Sequence, residues 1–222
     1  MTSVRFYFDC ISPYAWLAFT QLDRWENEHK TPIECIPVLF GALLDANGNL
    51  GPAEIPAKRQ YVYTDAFRLA SLYGLPVLGP PAHPFNPLKA LRLVSAADDQ
   101  PTKRRLGLAL CHSAWRDGLD VTDDTVLHRI LLQENVDATK YLGQIQTPAV
   151  KQRLIDQTAD ALRRGVFGVP TFEWKGELFW GVDRMDLLAS AIHGEVKVDR
   201  KQLEIALGRP RGIDRKAAPN AK

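Results

Sequence analysis

The sequence predicts an α/β fold whose sheet is assembled from the two ends of the chain, with helices inserted between them. Three observations carry that expectation. A strand–helix–strand unit opens the chain, a β-hairpin followed by a helix closes it, and roughly a hundred residues between them show helical periodicity. The bulk properties permit this. The chain has 222 residues, 45% hydrophobic and 24% charged, enough for one domain carrying a sizeable insertion. That apolar share excludes intrinsic disorder, and no apolar run approaches the ~18–20 residues of a membrane-spanning helix.

The opening strand is Val4-Arg5-Phe6-Tyr7-Phe8, aromatic and β-branched, ending at Asp9. Ser12-Pro13 then offers a helix cap followed by proline at the first helical position, and Trp16, Leu17, Phe19, Leu22 and Trp25 carry one amphipathic helix to about Glu28. A second strand runs over 31–38, with Ile33, Cys35 and Pro37 on one face. Two strands joined through a helix favour parallel pairing. Residues 41–56, rich in Gly, Asn and Pro, are expected to form a long functional or mobile loop. Helical periodicity then appears over 58–73, 87–97, 102–116, 124–133 and 148–164, with a stiff proline-rich connector over 79–85. Residues 169–174 and 178–180 read as a hairpin around Lys175-Gly176-Glu177. The closing helix is expected over 185–193, with Asp183 as N-cap and Gly194 as its stop. This order predicts a thioredoxin-like fold with a large all-helical insertion. The sheet domain takes residues 1–57 plus 165–196, the insertion takes 58–164, and a tail takes 197–222.

Several function classes are disfavoured at once. Cys10, Cys35 and Cys111 are odd in number and widely spaced, which suits neither a disulfide framework nor a zinc site. They read as small buried apolar residues in a reducing compartment. The first residues lack a basic segment leading into an apolar run, so a cytoplasmic location is expected and no metal is. The net charge of +2 is uneven: residues 196–222 hold eight basic and three acidic residues. That tail contains no aromatic residue, so no nucleic-acid partner is expected, nor a membrane one. With Pro210, Gly212 and Pro219 it reads as a solvated or loosely docked extension.

Three short segments carry candidate chemistry. Ser12 stands directly after a strand at the start of a helix, where backbone amides and the helix dipole favour negative charge. It reads either as a helix cap or as a donor to an anion. No Gly-x-Ser-x-Gly elbow accompanies it, which argues against a serine hydrolase. In the second segment, Gly165–Phe172, Val169-Pro170 is either an ordinary trans strand entrance or a cis turn that would present the Val169 backbone to an extended ligand. The third, Gly181-Val182-Asp183-Arg184, reads either as a plain acidic cap or as a clamp for an α-amino acid group.

Taken together and in this order, these segments resemble the kappa-class glutathione transferases and the 2-hydroxychromene-2-carboxylate isomerases, in the DsbA-like branch of the thioredoxin superfamily. Ser12-Pro13-Tyr14-Ala15 lies where redox members carry Cys-x-x-Cys, Gly168-Val169-Pro170-Thr171 resembles the cis-proline loop, and Gly181-Val182-Asp183-Arg184 resembles the Gly-x-Asp-Arg clamp. Gly48-Asn49, Pro56-Ala57-Lys58 and His83-Pro84-Phe85-Asn86 add to the likeness, which runs from about Val4 to Gly194. The resemblance implies glutathione as cofactor. Ser12 would donate its hydroxyl to the sulfur, and Val169 in the Pro170 loop would bind the cysteinyl backbone. Asp183 would take the γ-glutamyl ammonium, and Gly181, Val182 and Arg184 its carboxylate region. Asn49 and Lys58 would reach the rest of the tripeptide. Where relatives often have Ser or Asn, Val182 offers only its backbone N–H. Tyr14, Trp16, Phe85 and Arg59 are the candidates for the substrate pocket, Arg59 with Lys58 for a substrate carboxylate.

The implied activity is isomerisation of a small aromatic acid resembling 2-hydroxychromene-2-carboxylate, in a homodimer. Two alternatives remain open at this point, a kappa-type transferase or peroxidase and a redox-inactive binding protein. Dithiol exchange is not expected, because Ser12 and Ala15 occupy both positions of the redox motif.

Overall fold

The structure is a computed structural model that describes residues 2–213. Its sheet has four strands: β1 (Val4–Phe8), β2 (Ile33–Pro37), β3 (Thr171–Trp174) and β4 (Glu177–Trp180), in the order β2-β1-β3-β4. The β1 strand pairs parallel with β2, and antiparallel pairing joins β1 to β3 and β3 to β4. Alternation along β1 sends Phe6 and Phe8 to one face and Tyr7 to the other, and all three are buried.

On the first face Phe6 stacks on Phe172 with centroids 4.9 Å apart. Helix α1 (Pro13–Phe19) meets both Phe6 and Phe8 edge-on through Phe19. The helix expected over 13–28 is in fact two. It breaks at Thr20-Gln21, where the Thr20 hydroxyl donates to the Leu17 carbonyl at 2.7 Å and competes with the helical ladder. Helix α2 (Leu22–His29) follows, and the Trp25 indole of α2 donates to the Met185 carbonyl at 3.2 Å.

On the second face lies helix α3 (Phe40–Ala46), inside the segment expected to be a loop. Two distant side chains hold its start: Asp9 Oδ2 accepts from the Phe40 N–H at 2.9 Å, and Thr158 Oγ1 accepts from the Leu39 N–H at 3.1 Å. A seven-residue helix capped from elsewhere leaves little local signal.

The middle of the chain supplies α4 (Pro56–Leu72), α5 (Leu88–Ala96), α6 (Gln100–Trp115), α7 (Asp124–Gln133), α8 (Ala138–Gln144) and α9 (Pro148–Arg163). Five agree with the expected periodicity, and α8 is additional. Its cap is Asp137, whose carboxylate accepts from the Lys140 N–H at 2.9 Å. Helices α4 to α8 share the larger apolar core with the sheet, α6 coming close through Gly107, while Ala161 of α9 packs in a second cluster with Tyr7 and Leu43. The hairpin loop is tighter than expected: Lys175-Gly176 alone makes the turn, both at positive φ.

Helix α10 (Met185–Ile192) follows β4, and α11 (Arg200–Leu207) lies in the segment expected to be a solvated or loosely docked tail. All eight residues of α11 are exposed, and Arg200 pairs with Glu177. Residues 214–222 of that tail lie outside the described residues. Among the described residues no helix is long and apolar enough to cross a membrane.

Asp9 is fully buried and has no basic partner in its hydrogen bonds; its carboxyl accepts from the Ile11 and Phe40 N–H groups. Burial pushes its pKa up to about 7, against the lowering effect of those two bonds. Because the folded value is raised, the folded state holds this proton more tightly than the unfolded chain. The associated stability is full below about pH 4 and is lost as pH rises through about 7. Asp9→Asn removes one of the two acceptors and is expected to cost about 1–3 kcal/mol. Thermal melts of both proteins from acid to mildly basic pH should show that deficit shrinking as pH rises, whereas parallel curves would contradict the assignment. Gly107→Ala is a second check. A Cβ there would stand 2.6 Å from Phe19 Cζ and 3.1 Å from Phe8 Cζ. Overpacking of about 1–3 kcal/mol should outweigh the gain in helix propensity, so chemical denaturation should show a less stable protein.

Candidate active site

Strand register brings the three chemistry-bearing segments to one end of the sheet. Tyr7 lies opposite Thr171, and Thr171 lies opposite Trp180. The exit of β1, the entry of β3 and the exit of β4 are therefore neighbours. Two hydrogen bonds tie them together. Ser12 Oγ donates to the Val169 carbonyl at 3.5 Å, and the Gly181 N–H donates to the Pro170 carbonyl at 2.9 Å. The Val169-Pro170 bond, left open by the sequence, is cis.

Ser12 is the helix cap of its first sequence reading. Its Oγ caps α1 by accepting from the Ala15 N–H at 3.2 Å, as expected of a serine before a helical proline. The bond to Val169 is long, so the hydroxyl proton is only weakly engaged. The residue is 7% exposed, at the N-terminus of a helix whose dipole favours an anion. Among the described residues nothing accepts from the Val169 N–H, which leaves that donor for an extended ligand.

Gly181 has φ 109°, and the Asp183 carboxylate folds back so closely that a Cβ would meet Oδ1 at 2.3 Å. The exposed carboxylate could move aside, and it is the positive φ that calls for glycine. Asp183 does not cap the last helix as expected. Residues 182–184 form a 3-10 turn, α10 starts after Arg184 without a side-chain cap, and Asp183 pairs instead with Arg184 at 3.1 Å. Both side chains are more than half exposed, so this pair contributes little to stability and is open to exchange with a ligand's charges. Val182 is buried, consistent with its having only a backbone group to offer.

The remaining expected site residues divide. Asn49 and Lys58 are exposed, one beyond the end of α3 and the other in the first turn of α4, and neither side chain hydrogen-bonds to the Ser12 cluster among the described residues. Arg59 lines a cavity of about 290 Å³ with Ala53, Glu54, Pro56, Gln60 and Tyr63, and its guanidinium lies 5.5 Å from the Tyr63 ring centroid. Phe85 lines a different cavity, of about 270 Å³, beside Pro80 and Val121. Tyr14 lines neither; its hydroxyl donates to Asp65 at 2.9 Å and latches α1 to α4. Burial and that carboxylate raise its pKa, so it stays protonated.

Trp16 is a correction. It is 0% exposed in the core, with its indole donating to His112 Nδ1 at 2.9 Å, and it lines neither of these cavities. Burial lowers the His112 pKa to about 4, which keeps that imidazole a neutral acceptor.

Sequence reasoning passed over an exposed aromatic pair beside the site. Phe167 and Trp180 meet edge-on with centroids 4.9 Å apart, at 40% and 54% exposure. The available signal was an aromatic immediately before each of the two loop glycines, Gly168 and Gly181. His83, named from the sequence only as part of the likeness and without a role, has the Ile11 carbonyl next to Ser12 as its hydrogen-bond partner at 3.0 Å.

All three cysteines are free and buried. Burial raises the Cys10 and Cys111 thiols well above their usual value and Cys35 to about 12, so none is a thiolate at neutral pH.

Comparison with known proteins agrees with this fold. The chain is 29% identical over 190 residues to a 2-hydroxychromene-2-carboxylate isomerase from Sphingobium xenophagum, covering 85% of this chain and 96% of the relative. It is 28% identical to a glutathione S-transferase kappa 1 from Rattus norvegicus, covering 84% and 88%. A solved 2-hydroxychromene-2-carboxylate isomerase superposes with a TM-score of 0.80 at 24% identity, over 91% of this chain and 98% of that one, which shows a shared fold. The family model described as a DSBA-like thioredoxin domain matches residues 3–193. The chain is thus a member of the DsbA-like thioredoxin family.

Proposed function

We propose that this protein is a glutathione-dependent isomerase of an aromatic acid resembling 2-hydroxychromene-2-carboxylate. One observation carries the reading. A serine hydroxyl stands beside the cis-proline loop where a redox relative would place its thiol, while every cysteine of the chain is buried and protonated. A site built this way serves a sulfur brought by a ligand.

The residues present fit the tripeptide. Ser12 offers a weakly engaged O–H, the Val169 N–H is unpaired among the described residues, and Asp183 with Arg184 presents the two charges that complement an α-amino acid end. Glutathione, when bound, supplies a thiol able to add reversibly to the conjugated carbon of the substrate and to leave again after ring opening. Ser12 then serves as a hydrogen-bond donor at the sulfur position, helped by the N-terminus of α1. Asn49 and Lys58 complete the reading at the outer end of the tripeptide. The cavity at Arg59 and Tyr63 is at the small end of ligand sites and offers one cation and one aromatic face to a flat anion. Positioning that anion against the sulfur is the protein's main task.

The kappa-class relative favours a second reading, transfer of glutathione to an electrophile at the same site. Activity on a chloronitrobenzene without turnover of the chromene acid would decide for it.

Purified protein with glutathione is expected to interconvert the two isomers, followed by absorbance. Ser12→Ala removes one charge-assisted donor and should slow turnover about 10- to 100-fold. Unchanged turnover would end the role given to Ser12. Glutathione at a hundredfold excess over its Kd should stabilise the fold by about 2.7 kcal/mol, seen as a melting shift of several degrees. Asp183→Asn should weaken that shift, and no shift in the unaltered protein would favour a binding protein without this cofactor.

A further inference from the structure

The segment leading to Ser12 is held by Asp9 at its start and by two groups from distant elements. Asp9 Oδ1 accepts from the Ile11 N–H at 3.0 Å, and the Trp115 indole donates to the Cys10 carbonyl at 3.0 Å. The Ile11 carbonyl is met by His83 Nε2, also at 3.0 Å, and among the described residues it has no other partner. The carbonyl carbon of Ile11 is bonded to the Ser12 nitrogen, so the orientation of this peptide group sets where the Ser12 side chain starts.

His83 is caged by rings. Tyr63 and Trp115 meet it edge-on with centroids at 5.6 and 5.2 Å, and Phe85 lies at 6.4 Å. Its own carbonyl accepts from Arg59 Nη2 at 3.5 Å. Arg59 and Tyr63 are walls of the 290 Å³ cavity, so His83 touches both that wall and the peptide before Ser12.

The chemistry of the ring narrows its role. Burial, reinforced by the Arg59 charge, pushes the imidazole below its usual pKa, and it is neutral at neutral pH. A neutral ring has one N–H, and the bond to a carbonyl requires that proton on Nε2. Nδ1 is then a bare acceptor, and it is buried with no partner among the described residues. A phenyl ring would fill the same cage without leaving that nitrogen unpaired. The N–H directed at Ile11 is what the imidazole adds.

We propose that His83 is a positioning residue for Ser12, fixing the Ile11 carbonyl from a ring held by the Arg59–Tyr63 cavity wall. This rests on the reading of Ser12 as the donor to the glutathione sulfur. His83 does not touch that sulfur. Its effect is on where the hydroxyl stands, and so on how far a bound thiol is ionised, more than on how tightly the aromatic acid binds.

The experiment titrates the ultraviolet thiolate absorbance of glutathione bound to the full chain. In the unaltered protein the thiol should titrate below the ordinary value of about 8.5. His83→Phe keeps the ring and loses the donor; its midpoint should move back up by about one pH unit, with kcat falling about tenfold and KM for the aromatic acid changing less than about twofold. His83→Gln restores an N–H and should recover much of both losses. If the unaltered protein lowers the midpoint and His83→Phe lowers it equally, or if Gln is no better than Phe, the role of His83 is overturned while the glutathione reading stands. If the unaltered protein does not lower it, the glutathione reading falls and takes this inference with it. Independently of any variant, the ¹⁵N shifts of His83 at neutral pH should report a proton on Nε2 and none on Nδ1. The opposite tautomer or a doubly protonated ring would also overturn it.

Discussion

The antiparallel register between β1 and β3 is the constraint on which both the core and the site depend. Phe6 opposite Phe172 puts both rings on the face covered by α1, and the same register sets Val169 against Ser12. A slip of one residue would turn Phe172 to the opposite face and carry the proline loop away from the helix start. Packing of the largest buried side chains therefore enforces the geometry of a site that contributes little packing of its own. The parallel partner β2 completes this by leaving β1 bonded on both edges, so its exit has no freedom to drift.

Around that exit, the molecule spends its interior polar groups on holding backbone. Asp9 binds two N–H groups, one before Ser12 and one at the start of α3, while Trp115 and His83 bind the two intervening carbonyls. An irregular segment between a strand and a helix has backbone groups that neither element satisfies, and each must find a partner when buried. Here the partners, Asp9, His83 and Trp115, come from three separate parts of the chain. The Ser12 hydroxyl, by contrast, is loosely held by a bond of 3.5 Å. At the mouth of the site the situation reverses, and the charges of Asp183 and Arg184 remain in water, where their mutual attraction is weak enough to be replaced.

Much of this was legible in one dimension. Five inserted helices and four strands follow from apolar periodicity, and the Ser12-Pro13 helix start follows from capping chemistry, because those signals reside within a few residues. The losses share a cause as well. Helix α3 has its caps on Asp9 and Thr158, far from it in sequence. The break after Phe19 depends on a hydroxyl that amphipathic periodicity does not register. Trp16 reads as a pocket residue beside Ser12, yet the turn of α1 points it into the core towards His112. Asp183 has the composition of a cap but sits one residue before the N-cap position, which Arg184 takes, because residues 182–184 wind as a 3-10 turn.

By itself the sequence determined the class of the fold, the order of its elements and the absence of a thiol pair at the first helix, since each is a matter of residue identity and local spacing. Tertiary structure alone decided that Val169 is cis to Pro170, that its carbonyl faces Ser12, and that His83 reaches across 72 positions to the peptide beside it. Those outcomes come from strand register and ring packing between segments remote in the chain. No local pattern encodes them, because the free energy that selects them is shared among residues that meet only after folding.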